Sequence, residues 1–355
     1  MRIAIIGLPG SGKTTLFDAV TGRRDEPGAY AAPGSLHVGV VAVHDERVDF
    51  LAGVLKPKKH TYASVEFVDL GGLFTGEKAN PDSVAAMRES RALLKVVRAF
   101  ESAAVPHRRG SVDPRRDLEE MAGDLFVTDL DIIERRMETL RHDVKRPTPK
   151  QEEERAELAL LERCRAQLDG VGALDRLTLA DDERKMLSGF AFLTQKPAVV
   201  VLNVGEGQIG DASVAAQLGQ RREEVMALCA DMERELLRME PEERAPFMQD
   251  LGIAELSAKK IVDASLRALD LISFFTANEK ELRAWLVRRG TTAVEAAGEI
   301  HTDLARGFIR AEVIAAEDLR ALGSVKEARA KGKVKLEGKD YVVQDGDILQ
   351  IRFSV

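Results

Sequence analysis

The segment that most constrains this chain is Gly-Leu-Pro-Gly-Ser-Gly-Lys-Thr at residues 7–14. An apolar run at residues 3–6 precedes it and is typical of a buried parallel strand, while residues 14–21 have the pattern of a helix. The spacing matches G-x-x-x-x-G-K-[ST] in full, and a strand before and a helix after are the context that this phosphate-binding loop requires. The segment therefore predicts an α/β domain that binds a nucleoside triphosphate.

The parts of this loop have distinct chemical roles. Glycines let successive backbone N–H groups point at phosphate oxygens, and the helix that follows adds its positive end. Lys13 is predicted to contact the β and γ phosphates, and the Thr14 hydroxyl is predicted to bind Mg²⁺. We therefore expect a nucleoside triphosphate and Mg²⁺ as ligands.

The composition is that of a soluble globular protein of two or three domains. The chain has 355 residues, of which 45% are hydrophobic, and its net charge of -7 argues mildly against general binding to polyanions. Cys164 and Cys229 stand far apart in no metal-ligand spacing, which predicts reduced thiols in the cytosol. The initial apolar run is too short for a signal peptide, and no run approaches the roughly 20 residues of a membrane span. We expect a cytoplasmic protein that does not bind membranes.

A second element of the predicted site follows a valine-rich strand at residues 63–68. Asp69 ends this strand and is followed by Leu70-Gly71-Gly72, which gives the pattern D-x-x-G. Such an aspartate can hold Mg²⁺ through water, with a glycine N–H near the γ-phosphate. The alternative is an ordinary turn at the end of a strand.

A third element, Asn203-Val204-Gly205-Glu206, follows a predicted buried strand at residues 198–202. GTPases normally carry Asn-Lys-x-Asp at this strand end, where the aspartate accepts two hydrogen bonds from guanine. Here Val204 replaces the lysine and Glu206 replaces the aspartate, and the longer side chain displaces the carboxylate. Selection of guanine is therefore open, and a turn unconnected with the base is the alternative.

The middle of the chain predicts a pair of helices. Residues 116–142 and 150–168 are charged, with apolar side chains at helical spacing, and Pro147 and Pro149 interrupt the pattern between them. This arrangement predicts two antiparallel helices joined by a turn. They form either a structural hairpin or an arm that binds a partner.

The last third of the chain changes in character along its length. Residues 221–272 have a mostly helical pattern, and residues 273–355 predict a small α+β domain. Within that domain, residues 339–343 are predicted to form a strand and residues 345–347 a turn. A final strand is predicted for residues 348–353.

These elements, in this order, resemble the YchF family, also called the Obg-like ATPases. Further segments shared with the family extend over essentially the whole chain: Val-Gly-Val-Val at 38–41, Lys-Pro-Lys-Lys at 56–59, Val-Val-Arg-Ala-Phe-Glu at 96–101, Gly-Ser-Val-Asp-Pro at 110–114, Phe-Met-Gln-Asp-Leu-Gly at 247–252, Ala-Ala-Gly-Glu-Ile-His-Thr-Asp at 296–303, Gly-Phe-Ile-Arg-Ala at 307–311 and Asp-Gly-Asp at 345–347. The resemblance implies a Ras-like P-loop domain of the TRAFAC class at residues 1–115 and 190–272. It also implies an inserted, coiled-coil-like helical hairpin at 116–189 and a C-terminal TGS domain with a β-grasp fold at 273–355.

The resemblance also carries expectations about activity. Family members prefer ATP to GTP, need Mg²⁺, hydrolyse ATP slowly and associate with ribosomes, so we expect ATP, with GTP bound more weakly, and large-subunit RNA and protein as partners of a monomer. The preference for ATP maps onto Asn203 and Glu206. The predicted metal ligands are Thr14 and Asp69. The predicted nucleotide-binding residues are Leu8, Pro9, Gly10, Ser11, Gly12, Lys13, Thr14, Thr15, Asn203, Val204, Glu206, Cys229 and Ala230.

The residues expected to support hydrolysis are Lys13, Leu73 and His107. Ras-type GTPases place a water-orienting glutamine just after D-x-x-G. Leu73 occupies that position and can neither donate nor accept a hydrogen bond. The family resemblance points instead to His107, as a base or as a group that orients the attacking water. The alternative is a loop histidine whose hydrogen bonds are satisfied within the protein.

The chain departs from the family pattern in both switch segments. Residues 28–37 contain no threonine, Pro33 stands where the family threonine is expected, and Ser35 is out of register. The segment after Asp69 is shorter than in the family, and Gly10-Ser11 replaces the usual Asn-Val. These differences predict a divergent member with slow or conditional hydrolysis. A hydrolysis-deficient, nucleotide-dependent binding module and a GTP-preferring GTPase are the alternatives.

Four clusters of basic residues are candidates for contact with RNA phosphates, because clustered cations give salt-dependent affinity for a phosphate backbone. The alternative for each cluster is a solvated helix face, and few aromatic residues accompany the clusters. The clusters are Lys56, Lys58 and Lys59; Arg108, Arg109, Arg115 and Arg116; Arg135, Arg136, Arg141, Lys145 and Arg146; and Lys326, Arg329, Lys331, Lys333 and Lys335.

Overall fold

The computed structural model of this chain describes residues 1–23, 36–70, 80–253 and 255–354. Leu73, Pro33, Ser35 and the two glycines that follow Leu70 therefore lie outside the described residues. The chain forms two compact units. One comprises Met1–Gly39 with Glu66–Ile261, and the other Val40–Val65 with Val262–Val355. The division into three domains stays a prediction.

Strands and helices occupy the first 99 residues, and two long helices extend from residue 114 to residue 171. In chain order the elements are β1 (Arg2–Ile6), α1 (Lys13–Thr21), β2 (Leu36–Val43), α2 (Glu46–Leu55), β3 (Lys59–Thr61), β4 (Ala63–Leu70), α3 (Pro81–Glu89), β5 (Ala92–Ala99), α4 (Pro114–Asp143) and α5 (Gln151–Val171).

The rest of the chain contains shorter elements. They are α6 (Asp181–Leu187), β6 (Ala198–Val204), α7 (Ala212–Ala216), β7 (Glu224–Leu228), α8 (Ala230–Arg238), α9 (Pro241–Asp250), α10 (Ser257–Ala268), β8 (Leu271–Ala277), β9 (Glu281–Arg288), α11 (Ala293–Ile300), α12 (Thr302–Arg306), β10 (Phe308–Ala315), α13 (Ala316–Leu322), α14 (Val325–Ala330), β11 (Lys335–Glu337) and β12 (Asp347–Phe353). Short 3-10 helices cover Leu193–Gln195 and Glu206–Gln208.

The sheet of the first unit has the strand order β2-β4-β1-β5-β6-β7. Strand β1 pairs in parallel with β4 and β5, and β5, β6 and β7 continue the parallel arrangement. Residues 3–6 of β1 are fully buried, as expected for a parallel strand that is covered on both faces. The predicted α/β fold is confirmed, and the carboxyl ends of β1, β4 and β6 meet at one edge, where such sheets bind ligands.

Helix α4 takes part in two hydrophobic cores. Leu118, Met121 and Leu125 pack in the core of the parallel sheet. Further along the same helix, Ile133 and Met137 belong to a separate cluster that α5 and the segment after it complete. The predicted pair of helices is confirmed, and α4 is about 45 Å long at 1.5 Å per residue. We call its outer part, together with α5, the helical arm.

The second unit contains a six-stranded sheet with the order β11-β10-β12-β8-β9-β3. Strands β8 and β9 form an antiparallel pair, and β12 lies parallel to β8 and antiparallel to β10. Helix α11 packs on this sheet through its buried alanines, so that the unit has the β-grasp arrangement that was expected.

One expectation about secondary structure is confirmed and another is wrong. Residues 221–272 are mostly helical, as expected, in α8, α9 and α10, and β7 in the same stretch adds an edge strand to the sheet that contains β6. Residues 339–343 do not form a strand, and only Val342 makes an isolated bridge. The carbonyls of Lys339 and Tyr341 instead accept hydrogen bonds from the first N–H groups of α11, at 3.3 and 2.7 Å. Those helix-terminal donors need partners, and this need overrides the alternating pattern of the segment.

Candidate functional site

Backbone geometry makes three glycines of the phosphate loop, residues 7–14, hard to replace. Gly10 and Gly12 have φ of 75° and 88°, in the left-handed region that favours glycine. A Cβ added to Gly12 would lie 2.1 Å from Asn203 Nδ2, and one added to Gly7 would lie 2.4 Å from the carbonyl oxygen of Val96. The loop therefore folds in this shape only if these positions carry no side chain.

Lys13 begins helix α1 directly after the loop. Its Nζ donates to the carbonyl of Leu8 over 3.4 Å, which is a long contact for a charged donor. Desolvation lowers the pKa of Lys13, and the nearby charge of Asp69 opposes that shift. An anionic ligand in the loop would supply the stabilisation that burial removes from this ammonium group.

Thr14 and Asp69 are brought together at the ends of α1 and β4. Thr14 Oγ1 donates to Asp69 Oδ2 over 2.7 Å, and Asp69 is 2% exposed. Its other oxygen, Oδ1, has no hydrogen-bond partner among the described residues, and neither has the buried hydroxyl of Ser11. A buried polar atom without a partner is costly, and in a native structure it indicates a missing ligand or strain.

These two side chains fit a magnesium ion bound with a nucleotide. Mg²⁺ prefers oxygen ligands and in phosphate sites uses one or two protein side chains together with phosphates and water. Thr14 and Asp69 offer oxygen ligands, including Asp69 Oδ1, which no other described residue contacts by a hydrogen bond. In the described parts of the chain, no group of three or more His, Cys, Asp or Glu side chains could hold a metal by itself.

The side chain of Asn203 supports the phosphate loop. Its Nδ2 donates to the carbonyl of Ser11, and its Oδ1 accepts from the backbone N–H of Ala230, each over 3.0 Å. Both polar atoms of the amide therefore bond to the backbone, and the side chain connects the loop with the start of α8. Cys229 precedes that helix and is buried, and burial raises the pKa of its thiol.

The remaining predicted nucleotide contacts differ in exposure. Val204, at the end of β6, is buried, while Glu206 is exposed at the start of a short 3-10 helix. In the loop itself, Leu8 is buried, Pro9 is exposed and Thr15 is partly buried. Only Glu206 of the Asn203–Glu206 segment thus presents a charged side chain to solvent.

His107 lies in the segment between β5 and α4, residues 100–113, which we call the histidine loop. The exposed fraction of its side chain is 5%, and its Nε2 lies 2.8 Å from Asp117 Oδ2. Its Nδ1 accepts from the backbone N–H of Arg109 over 3.1 Å. Both ring nitrogens therefore have protein partners in this structure.

Arg98, which the sequence pattern did not indicate as a site residue, holds the histidine loop against the end of β5, close to the phosphate loop. It is 2% exposed at the end of β5, and it donates from Nη2 to the carbonyl of Val105 over 2.7 Å and from Nε to that of Phe100 over 3.0 Å. A Cβ on Gly10 would lie 3.3 Å from the Val105 side chain. The available signal was an arginine near the end of a mostly apolar strand pattern, in which Lys95 is the other charged residue.

The predicted basic clusters differ in how far acidic neighbours neutralise them. On the helical arm, Arg135 pairs with Asp131, Arg136 with Glu157 and Arg141 with Glu162. In the histidine loop, Arg108 and Arg109 both pair with Glu120. Among the residues of the four clusters, those that form no salt bridge with another described residue are Lys56, Lys58, Arg115, Lys145, Arg146, Lys326, Lys331 and Lys335. Much of the positive charge predicted for the arm is thus paired within the protein.

Within the described ranges, no helix is both long enough and apolar enough to cross a bilayer.

Comparison with known proteins adds to this geometry. A family described as 50S ribosome-binding GTPase matches residues 2–133, and the family YchF-GTPase_C, described as a protein of unknown function (DUF933), matches residues 271–354. A Haemophilus ducreyi protein named ribosome-binding ATPase YchF is 38% identical over 100% of this chain and 99% of its own. The Bacillus subtilis protein of the same name is 36% identical over 100% of both chains.

A solved structure agrees with these matches. The structure of the Schizosaccharomyces pombe YchF GTPase superposes with a TM-score of 0.83 at 28% identity, covering 99% of this chain and 97% of that one. The matched region includes the phosphate loop, the helical arm and the C-terminal domain, because it extends over the whole chain. This chain therefore belongs to the YchF family.

Proposed function

We propose that this chain is a ribosome-associated ATPase that binds ATP with Mg²⁺ and hydrolyses it slowly, its nucleotide state controlling its association with the ribosome. The observation that carries the proposal is the group formed at the phosphate loop by the partly buried Lys13 and Thr14 with the buried Asp69. The full-length relatives that are named ribosome-binding ATPases support the choice of reaction and partner.

Each residue of this group has a defined part in the proposal. The backbone N–H groups of residues 8–14 and the Lys13 ammonium bind the β and γ phosphates. Thr14 and Asp69 hold Mg²⁺, which when bound neutralises charge that develops on the phosphate oxygens. His107 orients or deprotonates the attacking water after its contact with Arg109 opens. These assignments, and the role of Leu73, remain predictions.

The choice of ATP rests on the Asn203–Glu206 segment. Asn203 bonds with both ends of its amide to the protein backbone, and it serves as a support for the loop rather than as a base contact. Glu206 replaces the aspartate that recognises guanine, and Val204 is buried. A GTPase is the second candidate, because the Schizosaccharomyces pombe relative carries that name.

Calorimetry with ATP and with GTP, each with Mg²⁺, tests the ligand. We expect ATP to bind at least about tenfold more tightly, which corresponds to about 1.4 kcal/mol. Tenfold tighter binding of GTP would replace the proposed ATPase by a GTPase.

Single-turnover hydrolysis tests the reaction. We expect Mg²⁺-dependent cleavage of ATP by the wild type. Its rate should fall about 10–100-fold in His107→Ala, which lies at or below the lower end of the effect of a general base. The absence of Mg²⁺-dependent turnover above background would leave a hydrolysis-deficient binding module as the function.

Co-sedimentation with ribosomes tests the partner. We expect the bound fraction to differ between the ATP-bound and the ADP-bound protein and to decrease with rising salt, because contacts with RNA phosphates release counterions. Equal binding in both nucleotide states would contradict control by nucleotide.

A further inference from the structure

Asp117 lies on the first turn of α4 and holds the imidazole of His107. It is 2% exposed, and its Oδ2 lies 2.8 Å from His107 Nε2. Its other oxygen, Oδ1, accepts from Nε and Nη2 of Arg116, over 3.1 and 2.9 Å. The carboxylate is therefore placed between a guanidinium group and the imidazole, with both oxygens in use.

The partners of His107 select one tautomer of its ring. A carboxylate paired with an arginine only accepts hydrogen bonds, so the proton must lie on Nε2. The backbone N–H of Arg109 only donates, and it requires a lone pair on Nδ1, 3.1 Å away. Two independent contacts thus favour the same tautomer, with hydrogen on Nε2 and an unprotonated Nδ1 whose electron pair accepts from Arg109.

We infer that Asp117 is a positioning residue that fixes His107 in the Nε2–H tautomer and directs Nδ1 to the attacking water. This inference rests on the proposed function, in which His107 acts on that water. A carboxylate behind an imidazole has this effect in other catalytic sites, because it sets both the tautomer and the ring orientation.

The two contacts of the imidazole differ in how easily they open. Asp117 belongs to a helix whose first turns pack one face, with Leu118 and Met121, in the core. Arg109 lies in a tight turn, in which the N–H of Gly110 bonds to the carbonyl of His107 over 2.9 Å and Gly110 has a φ of 77°. Opening of the turn releases Nδ1, and Asp117 keeps the ring in place meanwhile. A charged group also lies near this nitrogen, because Arg116 Nη2 is 3.5 Å from Nδ1.

A structural role for Asp117 would leave different traces. If Asp117 only anchors the histidine loop, its loss would lower stability, but the ring nitrogens would keep their protonation pattern in any variant that folds. A measurement of the tautomer therefore separates positioning from anchoring.

The test combines the tautomer with turnover in the full-length protein. The variant Asp117→Asn keeps the size of the side chain but adds an N–H₂ donor, so that it cannot accept from both Arg116 and His107. Long-range ¹H–¹⁵N spectra at about pH 8.5, where an ordinary imidazole is neutral, report the tautomer of each of the six histidines. Comparison with His107→Gln assigns the resonances of His107.

Asp113→Ala is the matched control. Asp113 caps the same helix by accepting from the N–H of Arg116 over 3.1 Å and has no recorded contact with the imidazole. Its loss weakens the same turn of α4 without changing the partner of Nε2.

The expected result is an Nε2–H tautomer in the wild type and in Asp113→Ala, and a shift towards Nδ1–H in Asp117→Asn. We expect kcat to fall about 10–100-fold in Asp117→Asn, with KM unchanged, as is typical when a supporting hydrogen bond is removed. Unchanged His107 resonances in Asp117→Asn, or an equal loss of kcat in Asp113→Ala, would overturn the inference.

Two further outcomes separate this inference from the proposed function. If the wild type lacks Mg²⁺-dependent turnover, the proposed function fails, and the spectra still decide whether Asp117 sets the tautomer. If turnover is normal but His107→Gln does not slow it, the positioning role fails while the ATPase stands. If Asp117→Asn does not fold, an Nδ1–H tautomer in the wild type is enough to overturn the inference.

Discussion

Two clusters of buried polar groups in the first unit differ in whether the protein satisfies them. At the phosphate loop, Asp69 Oδ1 and Ser11 Oγ lack partners in the described chain. At the root of the helical arm, Asp129 is fully buried and accepts from the N–H groups of Leu193 and Thr194, over 3.0 and 2.8 Å. The Thr194 hydroxyl and Arg88 Nη2 also donate to it.

The difference separates a structural site from a binding site. A satisfied network stabilises one conformation, and its members become costly to remove. An unsatisfied cluster reduces the stability of the ligand-free protein and gains partners when a ligand arrives. We therefore expect substitutions at the arm root to change stability, and substitutions at the phosphate loop to change affinity.

Replacement of Asp129 by alanine should have the largest effect on stability. The N–H groups of Leu193 and Thr194 would lose their acceptor, and Arg88 would lose its anionic partner. This should cost roughly 3 kcal/mol, or about 6–12 °C in melting temperature for a unit of this size. The affinity for nucleotide should stay the same. Thermal unfolding and calorimetry measure the two quantities.

Asp131→Asn is the control for this substitution. Asp131 lies on the same helix in an exposed i,i+4 pair with Arg135, so its change should cost less than about 0.5 kcal/mol. A destabilisation by Asp129→Ala no larger than that of the control would show that the arm root is not a structural anchor.

Replacement of Gly12 by alanine should have the largest effect on affinity. The residue has a φ of 88°, and the new Cβ would lie 2.1 Å from Asn203 Nδ2, so the loop must change shape. We expect ATP affinity to fall at least about 100-fold, or about 2.7 kcal/mol, in calorimetry.

Gly123→Ala is the matched glycine control. A Cβ at this position of α4 meets nothing within 4 Å, so the substitution should leave affinity unchanged and raise stability by about 0.5–1 kcal/mol. Equal affinities of the Gly12 and Gly123 variants would contradict the shape requirement of the loop.

Replacement of Asp69 by asparagine should separate affinity from stability at a single residue. The change removes a buried carboxylate whose Oδ1 has no partner in the described parts of the chain, so the free energy of unfolding should stay within about 0.5 kcal/mol of the wild type or rise. Affinity for ATP should fall about tenfold when Mg²⁺ is present and little when it is absent. Calorimetry with and without Mg²⁺ measures this; a stability loss as large as that of Asp129→Ala would show that the two clusters do not differ.

Lys196 provides a smaller, pH-dependent test of the arm root. Its Nζ donates to the carbonyl of Arg88 over 2.9 Å, and desolvation, with a contribution from Arg88, lowers its pKa to about 8. The unfolded chain keeps the ordinary pKa of 10.5, so between these values the unfolded state binds more protons. Stability should therefore rise with pH through this window, relative to Lys196→Met. Urea unfolding of both proteins at several pH values measures their free energies of unfolding. The same dependence on pH in the two proteins would contradict the prediction.

The local parts of the site could be read from the sequence. The spacing of Gly7, Gly12, Lys13 and Thr14 follows from backbone geometry within a single turn, and the apolar run before it identifies a buried parallel strand. Asp69 was likewise identified by its place at the end of a strand. Such features depend on neighbours in the chain, and for this reason the α/β core and the phosphate loop were predicted.

The parts that depend on distant residues could not be read in this way. The place of Asn203 near the base stays a prediction, and the sequence did not indicate that its amide joins Ser11 to Ala230, residues remote from it in the chain. The arginines of the helical arm suggested an RNA contact, yet acidic side chains, among them Glu157 and Glu162 of α5, pair with them across the helices.

The sequence by itself thus determined the phosphate loop, the parallel sheet and the family, because these follow from short-range spacing and from motifs along the whole chain. The tertiary structure decided which polar groups are satisfied. It left Asp69 Oδ1 without a partner among the described residues, surrounded Asp129 with donors and joined His107 to Asp117. Hydrogen bonds require atoms about 3 Å apart, and only the folded chain sets such distances between residues that are remote in sequence.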